Sequence, residues 1–80
     1  MAAPATPPMV LCISGHDPSG GAGLQADIEA VAAQGAHALG VITALTTQDT
    51  GNVRRVNAVA PALMAEQIEL LLADCRVHAI

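Results

Sequence analysis

The 80-residue sequence contains no Phe, Trp or Tyr, and only 12% of its residues are charged. With no aromatic ring there is nothing on which nucleic-acid bases could stack. Fixed positive charge is confined to Arg54, Arg55 and Arg76, and the formal net charge is −4. That balance, with no basic cluster, argues against nucleic acid or an anionic membrane surface as the partner. No apolar run reaches the roughly 20 residues needed to span a bilayer. The first residues, Met1 to Pro8, lack both a basic region and a long apolar region, so they do not read as a signal peptide. Cys12 and Cys75 stand 63 positions apart, without metal-ligand or redox spacing. Two such thiols in apolar segments read as unpaired and favour a reducing, cytoplasmic setting.

What is present is small and aliphatic. Hydrophobic residues make up 52% of the chain, which is the composition of a globular segment rather than a disordered one. Much of that share is Ala, so the core is modest for an α/β domain. Met1 to Pro8, rich in proline, reads as a disordered lead. Met9 to Ser14 is a continuous apolar run of strand length, the pattern of a strand covered on both faces. From Ala22 to Gln34 the residues Leu24, Ile28 and Val31 recur at helical spacing, and Gly35 fits a helix C-terminus. Leu39 to Thr46 is a second β-branched run, followed by a polar loop from Thr47 to Asn52. Val53 to Val59 fits a short strand or edge ribbon. Pro61 opens a helix whose stripe is Leu63, Met64, Ile68, Leu71 and Leu72. Arg76 to Ile80 reads as one more strand. Strands alternating with helices point to an α/β fold with a parallel sheet, and residues 9–80 read as the incomplete N-terminal third of one larger domain.

Between the first strand and the first helix lies Ser14-Gly15-His16-Asp17-Pro18-Ser19-Gly20-Gly21-Ala22-Gly23. In open α/β folds the loop leaving the carboxyl end of a strand is where ligands bind. Gly15 to Gly20 has P-loop spacing, yet Gly21 stands where the lysine would be, and no Ser or Thr follows it to hold magnesium. The dinucleotide fingerprint is absent as well. A row of main-chain N–H groups at a helix N-terminus survives, suited to an anion or a polar small molecule. The plainer alternative is a tight turn with Asp17 or Ser19 as the helix cap. Asp27, on the flank of the helix stripe, either complements the helix dipole or accepts a hydrogen bond from a ligand. Gln48 falls at the same sheet edge and carries both a donor and an acceptor, which suits a heteroaromatic edge. His37 and His78 have no partner visible in the sequence, and no His, Cys, Asp or Glu grouping has metal-ligand spacing.

Residues 14 to 28, Gln34 to His37, and Val41 to Thr50 (Val-Ile-Thr-Ala-Leu-Thr-Thr-Gln-Asp-Thr) together resemble the start of the hydroxymethylpyrimidine/phosphomethylpyrimidine kinases. These are members of the ribokinase-like superfamily that act in thiamine biosynthesis. The resemblance runs from about Val10 to Ile80. It implies a three-layer α/β sandwich with a mostly parallel sheet. It also implies two successive transfers of the ATP γ-phosphoryl: to the hydroxymethyl group of 4-amino-5-hydroxymethyl-2-methylpyrimidine, then to its monophosphate. By the same resemblance Asp27 and Gln48 match positions that hydrogen-bond the aminopyrimidine, and Gly15, Ala22 and Thr46 match positions lining that pocket. Thr46 stands where an apolar residue is an alternative, and His16 replaces a smaller residue. The catalytic residue and most of the ATP and Mg2+ site fall in the family's C-terminal part, so no catalytic residue is assigned here. The implied partner is a small-molecule pyrimidine, with a homodimer left open. A pyridoxal-type kinase and a truncated, non-catalytic binding module are the alternatives.

Overall fold

The computed structural model describes residues 6–80. Its elements run β1 (Met9–His16), α1 (Gly23–Ala33), β2 (His37–Gln48), β3 (Val53–Ala58), α2 (Pro61–Asp74) and β4 (Val77–Ala79). They form one four-stranded sheet in the order β3-β2-β1-β4. The disordered lead expected over Met1 to Pro8 lies outside the described residues for 1–5. Pro8 already joins the sheet margin, its carbonyl accepting the His37 N–H at 2.8 Å.

β1 is the centre of this sheet. It pairs in parallel with β2 on one side, Met9 opposite His37 through Ser14 opposite Ile42, and with β4 on the other. The β1–α1–β2 unit is thus the crossover that alternating strand and helix patterns anticipate. β3 departs from that pattern. It is antiparallel to β2, with Ala44 opposite Ala58 and Thr46 opposite Val56, so residues 49–52 are a hairpin turn. Both flanking strands also run longer than expected, to His16 and to Gln48. The extra length of β2 arises because its last residues pair with β3, a partner that the local pattern of β2 does not announce.

α1 lies on the face of the sheet that carries Cys12 and Gly40. The absent side chain at Gly40 makes the room: a Cβ there would meet the Leu24 methyls at 2.8 Å. Leu24 is the buried residue of this helix. The covered side of α1 runs through Leu24, Asp27 and Val31, while Ile28 is exposed, so the helix is rotated from the apolar stripe toward Asp27. Gly35 closes the helix at φ +81, with its N–H on the Ala32 carbonyl and the Ala36 N–H on that of Val31. This is the paired bonding of a Schellman cap, and it turns the chain into β2. By two-residue alternation Leu11 and Val41 occupy the opposite face, and α2, which packs against β2, is left to cover it. Both are essentially fully buried, each stabilising the fold by about 1.5–3 kcal/mol. Among the described residues no helix is long and apolar enough to cross a membrane.

The polar edge where β1 and β2 end

The turn that follows β1 is built around Asp17. Asp-Pro-Ser-Gly is a type I turn sequence, with Pro fixing the second position and Gly accommodating the fourth. The Gly20 N–H closes it on the Asp17 carbonyl at 3.0 Å. The Asp17 carboxylate, buried at 6% exposure, then accepts from the Ser19 hydroxyl at 2.7 Å and the Ser19 N–H at 2.8 Å. These two bonds, with smaller contributions from the Ala22 and Gly21 amides, outweigh burial and hold this carboxyl below its ordinary value of 3.8. The loop thereby contains an anion of its own. Before the helix, the Ser19 amide is engaged by this carboxylate and the Gly20 amide by the Asp17 carbonyl, while the Gly21 and Ala22 amides lie close enough to favour the charged carboxylate. The helix-cap alternative is corrected, because α1 begins at an extended Ala22 with no side-chain cap.

Gly23 ties the loop back to the strand. It sits at φ +66, forms a bridge to His16, and a Cβ placed on it would collide with the Gly15 carbonyl. Only glycine permits that approach. Gly15 itself is less constrained, since a Cβ there would rest 3.7 Å from the Ala44 carbonyl oxygen. Ala22 is exposed at the mouth of the loop.

On β2 the side chains of Thr46 and Gln48, two residues apart, meet on one face of the strand. The Thr46 hydroxyl donates to the His16 main-chain carbonyl at 2.6 Å and accepts from Gln48 Nε2 at 2.5 Å. One continuous chain of bonds therefore links the end of β2 to the end of β1. Asp27 is half-buried in the second turn of α1, beside Cys12, whose thiol is pushed up first by burial and then by the Asp27 charge. Of the five residues singled out, Thr46 and Gln48 are bonded to each other, Gly15 lies against Ala44, and Asp27 lies on α1 beside Cys12. Ala22 stands apart at the loop mouth.

A concavity of about 540 Å3 is lined by Thr47, Gln48, Asp49, Asn52, Val53 and Arg54. It lies over the β2–β3 hairpin and shares only Gln48 with the five. The bonded Thr46–Gln48 pair is the better guide to a ligand site, because it presents oriented polar atoms, whereas the concavity is the open side of a solvated turn. Asp49 organises that turn, its Oδ1 accepting from the Gly51 and Asn52 N–H groups at 2.9 Å. Two further roles had no local signal. Asp17 reads in the sequence as a turn or helix-cap residue, not as a buried carboxylate that organises the loop. His78, without an evident partner, accepts the Met9 N–H on Nδ1 at 3.1 Å across 69 positions. Among the described residues no three His, Cys, Asp or Glu side chains are grouped so as to hold a metal ion. Cys12 and Cys75 are both free.

Residues 17–80 match the family model for phosphomethylpyrimidine kinase. A hydroxymethylpyrimidine/phosphomethylpyrimidine kinase from Mycobacterium bovis is 45% identical over 74 residues, covering 92% of this chain and 27% of the relative. The solved phosphomethylpyrimidine kinase of Clostridium difficile superposes with a TM-score of 0.85 at 39% identity, over 90% of this chain and 31% of that one. A pyridoxal kinase from Staphylococcus aureus, solved in complex with AMP-PCP and pyridoxal, gives 0.73 at 29% identity, over 84% and 26%. The chain thus spans about a quarter of the length of its hydroxymethylpyrimidine/phosphomethylpyrimidine kinase relatives and 10–13% of the longer bifunctional and multifunctional ones. With the family model covering all but the first strand and its margin, and the α/β sheet of solved kinases reproduced, this chain belongs to the phosphomethylpyrimidine kinase family.

Proposed function

We propose that this chain supplies the acceptor-binding edge of a cytoplasmic kinase of thiamine biosynthesis. The reaction is phosphorylation of 4-amino-5-hydroxymethyl-2-methylpyrimidine, and then of its monophosphate, with ATP and Mg2+. The observation that carries the reading is the Gln48–Thr46–His16 chain of hydrogen bonds at the carboxyl edge of β1 and β2, in a chain of this family. Gln48 meets the polar edge of the ring, Asp27 accepts from a ligand N–H or O–H, and Gly15 and Ala22 wall the acceptor against bulk water.

The described residues do not fit a nucleotide–metal site. No three of their His, Cys, Asp or Glu side chains are grouped so as to hold a metal ion, and the glycine loop is already served by its own carboxylate. Phosphoryl transfer requires positioning together with neutralisation of developing charge. No step of that transfer is therefore derived from these residues.

The test is a chimera in which this chain replaces the matched segment of the Mycobacterium bovis relative, assayed for ATP-dependent phosphorylation of the aminopyrimidine. Turnover is expected from the chimera and none from the 80-residue chain alone. A folded chimera with no turnover on the aminopyrimidine refutes the reading. The likeness to pyridoxal kinases supports a second reading, tested in the same assay with pyridoxal as the alcohol; a preference for pyridoxal would select it.

A further inference from the structure

We propose that Thr46 is a positioning residue that fixes which way the Gln48 amide faces, and so sets the donor and acceptor order that the site reads. The inference rests on the reading above, in which Gln48 meets the ring.

The direction of the bonds is forced by chemistry. A main-chain carbonyl only accepts, so the single Thr46 hydroxyl proton is committed to His16 at 2.6 Å. Toward Gln48 the same oxygen has only lone pairs left. The Gln48 atom 2.5 Å away is therefore the amide nitrogen, not the amide oxygen. An amide is usually ambiguous, because its two ends are alike in shape and rotate freely. Here one end is held, and Oε1 makes no hydrogen bond to any described residue. The strand geometry adds the second constraint, since Thr46 and Gln48 share one face of β2 and the His16 carbonyl is held at the end of β1 by its pairing with Leu45.

A locked amide offers a ligand its carbonyl oxygen and its remaining N–H in one fixed order. A 4-aminopyrimidine edge presents an amino donor beside a ring-nitrogen acceptor. The 4-oxo analogue has the same outline but presents an acceptor beside an N–H donor. The locked Gln48 accepts the first and rejects the second, because the wrong order leaves both amide atoms facing like partners. With an apolar side chain at 46 the amide turns over and accepts either.

The experiment measures binding of the 4-amino and 4-oxo hydroxymethylpyrimidines to the chimera described above, with the wild-type segment and with Thr46→Val and Thr46→Ser. Wild type and Thr46→Ser are expected to prefer the 4-amino ligand by about tenfold or more, and Thr46→Val to lose most of that ratio while still binding. An unchanged ratio in Thr46→Val, or an equal loss in Thr46→Ser, overturns the proposal while leaving the pyrimidine reading standing. Binding of neither ligand to wild type overturns both. A ligand-free measurement stands beside it. One of the two Gln48 side-chain amide protons should be slowed in exchange and show a nuclear Overhauser contact to the Thr46 methyl. Two freely exchanging protons refute the lock whatever the ligands do.

Discussion

Leu11, Leu24 and Val41, the buried apolar residues among those described, all belong to the β1–α1–β2 unit, whereas β3 is exposed along its whole length and α2 buries no residue. The buried residues thus gather in one half, although Ile13, Ile28 and Leu45 of that half are exposed. The Asp17 loop and the Thr46–Gln48 chain belong to the packed half. Val53, Val56, Leu63, Leu70 and Leu72 are exposed on the other. The polar edge is built on the β1–α1–β2 unit, with β3 pairing alongside Thr46 to Gln48 and α2 packing against β2.

Substitutions should separate the halves. The largest effect is expected for Gly23→Ala, where positive φ and collision with the Gly15 carbonyl combine to cost about 3 kcal/mol or more. Gly35→Ala shares the φ sign but meets no atom within 4 Å, so it should cost about 1–2 kcal/mol. Equal losses of Tm in the two variants would show that backbone strain alone governs both. Next, Val41→Ala removes fully buried methyls and should cost about 2 kcal/mol, against less than about 0.5 for Val56→Ala on β3. Urea midpoints decide this, and similar values would erase the distinction between packed and open halves.

Acid should act on the packed half through Asp17. Its carboxyl lies lower in the folded chain than in the unfolded one, so its stabilisation is present at neutral pH and lost as pH falls below about 3.8. Protection of the Ser19 amide, measured against its intrinsic exchange rate at each pH, is expected to fall over that range, and Asp17→Asn to remove that change. Protection that stays constant with pH would dissociate the carboxylate from the loop. The smallest effect is expected for Leu70→Lys on α2, which should leave stability within about 0.5 kcal/mol. Its use is to show, by sedimentation, how far the exposed apolar face drives self-association.

These contrasts follow how information is distributed along the chain. Runs such as Met9 to Ser14, and punctuation such as Gly35 and Pro61, act within a few residues, and the corresponding elements are where composition places them. β3 was legible as a ribbon but not as an antiparallel neighbour, because pairing direction is decided by the turn at Asp49 to Asn52. The rotation of α1 toward Asp27 was hidden, since it depends on a missing Cβ at Gly40 on another element. The glycine loop was visible as ligand-facing in type, but the use of its amides depended on one carboxylate whose burial only the folded turn creates. Thr46 was legible by resemblance as a wall, whereas its bond to His16 joins positions 30 apart.

The bond between His78 and the Met9 amide carries a different lesson, one about time. β1 is a central strand of this sheet, yet the neighbour on its second side is β4, which begins at Val77, long after β1 ends at His16. At ribosomal rates of roughly 5–20 residues per second, β1 waits about 3–12 s between its own completion at His16 and the arrival of Val77. Throughout that interval a nascent chain carries an apolar strand with one unpaired edge, open to any extended peptide nearby. Vulnerability during synthesis is thus written into the strand order, whatever stability the finished sheet attains.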